Sequence, residues 1–397
     1  MARQSSTEKP GALMDQARRE LDASIVTYRG KPVGTVAARD PEVASLHYDQ
    51  VFTRDFAVSA VACLLDGKPE IVRSYLETTL QLQSRDKHMD CFRPGAGLMP
   101  ASFKIEEDGE PDVEGRGQRI AADFGEKAIG RVAPVDASMW WLYMLRMYGR
   151  ATGDLTLARC SEVQRGIRLI LDLLLTSRFD MFPTLLVPDG SFMVDRRMGV
   201  YGHPMDIQAL FFVALRSAHE LLDDEGENRR YIEAIRERLG HLLYHIRRYY
   251  WLDRTHLTAL YRGGVEGYGS RVRNPFNIYP DSLPLWLMDW LPETGGYFAG
   301  NLGPARIDCR WFAAGNLMAV LSSLADAGQS RAVVELIESR WDDLVGEMPV
   351  KVMFPALEGG SWRLYTGNDP KNTPWSYQNG AGWPFLPARR SRSAGIG

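Results

Sequence analysis

The chain has 397 residues, 45% hydrophobic and 24% charged, with a formal net charge of −3. That balance suits a large globular core and excludes the basic footprint of a nucleic-acid binder. No apolar run reaches the length of a membrane span, and the 4 cysteines show no CxxC or other metal-ligand spacing, so no membrane, zinc or disulfide framework is signalled.

The first residues, "MARQSSTEKPGALMDQARREL", lack the apolar core of a secretory signal, and a soluble cytoplasmic protein is expected. Apolar residues then recur at helical spacing over 13–24, 52–65, 69–84, 137–150, 155–176, 206–223, 228–251, 311–325 and 329–345, with a shorter helix near 282–291. Strand signals are few: "KPVGTVAA" (31–38), "MFPTLLV" (181–187) and "GSFMVD" (190–195). Paired helices without βα alternation leave a solenoid or a closed helical barrel. A solenoid requires a fixed sequence repeat, which is absent. The expected fold is therefore all-α, an (α/α)6 barrel in which connecting loops at one end build a cleft.

Several chemistries are weakly supported. "GAGLMP" (95–100) lacks the third glycine and preceding strand of a phosphate loop. His241 and His245 share a helical face in "HLLYH", without the glutamate of a zinc peptidase, and read as surface or core histidines. No serine sits in a G-x-S-x-G elbow. What remains is a set of loops where acids stand beside rings and amides. These are "YDQVFTRDF" (48–56), "DFGEKAIGRVAPVDASMWW" (123–141), "DRRMGVYGHPMDIQALF" (195–211), "NIYPDSLPLWL" (277–287), "GGYFAGNLGPARIDCRWFAAGN" (295–316) and "DPKNTPWSYQNGAGWP" (369–384). Carboxylates and amides grip sugar hydroxyls, and rings stack on sugar faces. Glycosidic cleavage needs such groups plus a proton donor and a second carboxylate, with no metal or cofactor.

Each residue also has a plainer reading. Asp136 follows Val135 and opens a helix, so it fits an N-cap contributing about 1 kcal/mol. A cap and the helix dipole favour the charged carboxylate. A proton donor needs the neutral acid, which a dry setting beside Trp140 and Trp141 favours. Arg54 and Asp55 fit a surface ion pair. Asp281 fits the cap of a short helix, and Gly315–Asn316 a kink. Singly the plain readings are stronger; six such loops in one helical chain favour a carbohydrate site.

These strings closely resemble the alkaline/neutral invertases of glycoside hydrolase family 100, densely from about Tyr48 to Pro384. The resemblance implies an (α/α)6 barrel and hydrolysis of sucrose to glucose and fructose with inversion, without cofactor or metal, in the cytosol. It assigns the general acid to Asp136 of "PVDASMWW", with Trp140 in a sugar wall. It implies substrate contacts at Tyr48, Arg54, Asp55, His203, Asp206, Asp281, Gln378, Asn379 and Trp383. At 206 a side chain one carbon longer is expected from the family, and "SYQNG" departs from the usual S-Y-H-N-G at Gln378. The family's general base lies in a W-P-E-Y-Y-D string that does not occur here, and Asp55 and Asp281 are stand-ins that better suit hydroxyl binding. Residues 1–386 are thus expected to form one barrel lacking its last helices. Residues 387–397 would be an unrelated tail, and uncovered apolar faces would favour a homo-oligomer. Alternatives are a catalytically impaired sugar-binding or assembly protein, or a hydrolase of another α-glucoside such as trehalose.

Overall fold

The computed structural model describes residues 10–37, 48–86, 89–90, 93–107, 117–125, 135–176, 182–194, 196–265, 283–303, 306–345 and 350–382. Two compact units emerge, one of residues 1–127 with 140–170, the other of 128–139 with 171–397.

In the first unit, a helix over Pro10–Ala23 leads into a hairpin of Ile25–Tyr28 and Lys31–Thr35. Its two-residue turn has both φ angles positive, Arg29 at 49° and Gly30 at 78°, the twist a tight hairpin requires. Helices Thr53–Leu65 and Pro69–Gln81 follow. Val51–Phe52, Ser102–Glu107 and Gln118–Asp123 form a three-stranded antiparallel sheet. Rings knit the core: Phe56 and Tyr75 lie 4.3 Å apart, Tyr75 and Phe103 6.1 Å. The buried Tyr75 hydroxyl donates to Thr53 Oγ1 at 2.8 Å, so its burial leaves no polar orphan.

The second unit is built around the Met205–Leu221 helix, which is buried on nearly all sides, as a helix with apolar residues right round must be. Asn228–His245 and Ala313–Leu321 pack on it. Ala327–Ser339 starts with a reciprocal capping box, Asp326 accepting from the Gln329 N–H while the Gln329 side chain accepts from the Asp326 N–H.

The helical expectation holds for most elements, including Ala137–Thr152, Met205–Leu221 and Trp286–Trp290. The expected 155–176 helix divides at Cys160 into Thr156–Arg159 and Ser161–Leu174. Helices Arg254–Val265 and Gly359–Thr366 are additional. The purely all-α description needs correcting. The second unit carries an antiparallel sheet in the order Met353–Phe354, Arg306–Phe312, Gly296–Gly303, His203–Pro204, with Trp251–Asp253 also on Gly296–Gly303. The stretch read as a polar loop, 295–316, is its central hairpin. The described parts of "MFPTLLV" and "GSFMVD" supply only a bridge between Val187 and Gly202.

Asn316 couples sheet to helix. Its Oδ1 accepts from the Phe298 N–H at 2.8 Å, and its Nδ2 donates to the carbonyls of Phe298 and Phe312. Gly315–Asn316 is therefore a junction where helix meets hairpin.

Candidate active site

In the second unit, Asp136 stands directly before the Ala137–Thr152 helix and is only 2% exposed. The preceding Val135 N–H donates to the Ser191 carbonyl at 2.9 Å, fixing the chain's entry into the helix. This is the place both for a cap and for a shielded proton donor.

His203 lies in a short strand paired with Gly296–Gly303, opposite Leu302. Its Nδ1 is 2.9 Å from Thr184 Oγ1, and its carbonyl accepts the Tyr250 hydroxyl at 2.6 Å. The ring is thus oriented from both ends of the residue. His245 is pushed down to about 4, chiefly by burial and secondarily by the charge of His203, so it is neutral at physiological pH. His241 packs edge-on against the Phe182 ring and His245 lies tilted against Tyr249, which makes both aromatic packing residues.

Asp206 enters the core at the first turn of Met205–Leu221. Its Oδ1 accepts from the Gly315 N–H at 2.6 Å, so it caps the neighbouring helix Ala313–Leu321 across the packing interface. Phe312, in that helix's own capping position, provides no side-chain bond. Only glycine fits at 315: a Cβ there would lie 2.7 Å from Asp206 Oδ1 and 2.8 Å from its backbone N. Burial raises the Asp206 carboxyl to about 7, partly opposed by the Gly315 hydrogen bond. Near neutrality Asp206 therefore exists in both protonation states.

Gln378 and Asn379 are both buried. Asn379 Oδ1 accepts from the Leu357 N–H, and its Nδ2 donates to the carbonyls of Leu357 and Asn372. Gln378 Nε2 donates to the Met193 carbonyl at 3.2 Å. Their amides hold loop backbone together. Beside them, Asp369 accepts from Arg196 at 2.6 Å, from the Lys371 N–H and from Asn372 Nδ2. Burial opposes the charge on Asp369, but these bonds outweigh it and hold the carboxyl below its ordinary range. The "DPKNTPWSYQNG" stretch is thus a braced turn around the short helix Pro370–Asn372.

Tyr48, Arg54, Asp55 and Trp140 belong to the first unit. Tyr48 is exposed, and Arg54 and Asp55 occupy the first turn of Thr53–Leu65. The adjacent tryptophans differ. Trp141 is fully buried and donates to Thr79 Oγ1 at 3.0 Å, so it is core rather than sugar wall. Trp140 is half-buried, and among the described residues its Nε1 has no hydrogen-bond partner. Asp281 and Trp383 lie outside the described residues.

Sequence reasoning passed over the Asp308–Arg310 pair. Arg310 Nε donates to both Asp308 oxygens, at 2.9 and 3.0 Å, and its Nη2 also reaches the Met198 carbonyl. The D-x-R spacing in a strand, which puts both side chains on one face, was the available signal. Among the described residues, no cluster of three or more His, Cys, Asp or Glu side chains could hold a metal ion, and no helix is long and apolar enough to cross a membrane.

The family model for alkaline and neutral invertase matches residues 17–388. The chain is 54% identical to alkaline/neutral invertase C, mitochondrial, of Arabidopsis thaliana, over 94% of its own length and 56% of that protein's. It is 53% identical to cytosolic invertase 1 of Oryza sativa subsp. japonica, over 95% of its own length and 67% of the relative's. The relatives' names span cytosol and mitochondrion, so membership does not fix the compartment. Solved structures overlap loosely. A Klebsiella oxytoca rhamnosidase matches with TM-score 0.44 and 15% identity over 73% of this chain and 42% of its own. A Streptococcus pneumoniae metal-independent α-mannosidase matches with TM-score 0.43 and 11% identity over 86% of both. With a family match over nearly the whole chain and more than half of all positions identical to named relatives, the chain belongs to the alkaline and neutral invertase family.

Proposed function

We propose that the chain hydrolyses sucrose to glucose and fructose with inversion at the glucosyl carbon, as one (α/α)6 barrel acting in the cytosol. The family match over residues 17–388 carries this reading. In it, Asp136 protonates the departing fructosyl oxygen. Its burial at a helix start supports the role, because a proton donor acts at a leaving group held away from bulk water. The transition state has oxocarbenium character, and inversion requires a second carboxylate ~6.5–9.5 Å from the acid with water between them. Tyr48, Arg54, Asp55, Asp281 and Trp383 serve as substrate contacts in this reading, and His203 is an oriented donor or acceptor for a hydroxyl.

One observation favours a second assignment of the proton. Asp206 is buried, and its carboxyl is raised to about 7, where a general acid works best. Its hydrogen bond from Gly315 equally suits a purely architectural cap.

The test is glucose release from sucrose, with trehalose as comparison, by wild type, Asp136→Asn and Asp206→Asn. Loss of turnover with retained folding and sugar binding in Asp136→Asn supports the first assignment. The same phenotype in Asp206→Asn alone supports the second. Sugar binding by wild type without release of glucose would refute the hydrolase reading.

A further inference from the structure

In the second unit, the segment 199–202, the hairpin of Gly296–Gly303 and Arg306–Phe312, and the Gly359–Thr366 helix border a cleft of about 260 Å³. Its chemistry comes from Tyr201, Asn301, Arg306, Asp308 and Tyr365. The Arg306 guanidinium lies 4.8 Å over the Tyr365 ring, which restrains its planar fork of donors. Tyr365 is itself seated on Gly199, whose φ is 70° and where a Cβ would fall 2.8 Å from the ring. Tyr201 is 54% exposed and offers an uncovered ring.

Asn301 adds the most specific feature. It is 4% exposed, its Nδ2 donates to the Tyr201 carbonyl at 2.8 Å, and its buried Oδ1 has no hydrogen-bond partner among the described residues. A buried acceptor of this kind is rare in a finished fold; Asn301 lines the cleft, and a small rotation of its side chain would present the oxygen to a donor there. Asp308 is already neutralised by Arg310. The wall therefore combines a fixed donor, an unmet acceptor and a ring. An anion such as phosphate would meet Arg306 but has no proton to give the Asn301 oxygen. A hydroxyl can donate to one side and accept from the other, and a ring of CH groups bearing several hydroxyls can also lie on Tyr201. The volume is below the ~300–1,000 Å³ of drug-sized pockets, so it suits one sugar ring rather than two. The strand register sets Asn301 opposite Pro204 and Leu302 opposite His203, beside the start of the helix that bears Asp206.

We propose that this cleft is a subsite for a single hexose ring, recognised by Arg306 and Asn301 with Tyr201 as its stacking surface. It rests on the sugar-hydrolase reading and adds the residues that set affinity for one half of the disaccharide.

The test uses the full chain as wild type, Arg306→Ala and Tyr201→Ala, with melting curves to verify folding. Glucose and fructose are titrated separately by calorimetry, and KM and kcat are measured on sucrose. Each substitution should weaken binding of one of the two monosaccharides and raise KM about tenfold, with kcat little changed, as expected for an interaction made equally in ground and transition states. If wild type hydrolyses sucrose while both variants keep wild-type KM and monosaccharide affinity, the subsite is refuted and the hydrolase reading stands. If wild type does not hydrolyse sucrose, that reading fails and titration alone decides. Hexose binding lost in Arg306→Ala then supports the cleft; hexose binding that is absent or unchanged refutes it.

Discussion

Replacing Asp206 by Asn removes a titrating group while keeping its shape and an oxygen for the Gly315 N–H. The folded carboxyl is raised from 3.8 to about 7 because burial disfavours its charge. A raised folded value means that the native state holds a proton which the unfolded chain releases. The stabilisation is complete below the unfolded value and declines as pH rises toward the folded one. Between pH 5.5 and 8 the wild type should lose about 2 kcal/mol from this group, at 1.36 kcal/mol per unit of pKa difference. Asp206→Asn loses none of that. It carries a pH-independent cost for its buried amide, so the decisive quantity is the change with pH. Urea unfolding of both proteins at the two pH values measures it, and the variant should gain about 2 kcal/mol on the wild type from pH 5.5 to 8. An equal stability difference at both pH values would refute a carboxyl raised by burial.

Gly315→Ala should destabilise by about 1–3 kcal/mol, because its Cβ would meet Asp206 Oδ1 at 2.7 Å and the Asp206 backbone N at 2.8 Å. Gly240→Ala, at an exposed position of the Asn228–His245 helix with nothing within 4 Å, should instead stabilise by up to about 1 kcal/mol in the same unfolding assay. Trp141→Phe should cost about 1–3 kcal/mol through the lost bond to Thr79 and lost volume, leaving sugar affinity unchanged in calorimetry. Asp369→Ala should leave Arg196 largely buried without its partner and destabilise by about 3–5 kcal/mol, with faster proteolysis near 369–382.

Helices were legible because their apolar residues recur at one period, as in Ala137–Thr152 and Met205–Leu221. The Gly296–Gly303 and Arg306–Phe312 strands were not. Their residues are buried consecutively, so the alternation that marks a half-exposed strand is missing. Asp136 and Asp206 were legible as acids at helix starts. That Asp206 caps a different helix depends on a contact across 109 residues. Asn379 looked like a sugar-binding amide, yet it brackets Leu357 from 22 residues away. Local sequence cannot distinguish an amide facing a ligand from one facing backbone. Trp140 and Trp141 illustrate the same limit: adjacent helical positions point about 100° apart, and packing decides which ring is core.

The most direct measurement is the initial rate of glucose release from sucrose by wild type and Asp136→Asn, alongside their melting curves and sucrose titrations. The account predicts release by wild type, and in the variant a loss of turnover of at least about a hundredfold with an unchanged fold and near-normal sucrose affinity. A correctly folded Asp136→Asn protein that releases glucose at the wild-type rate would contradict it.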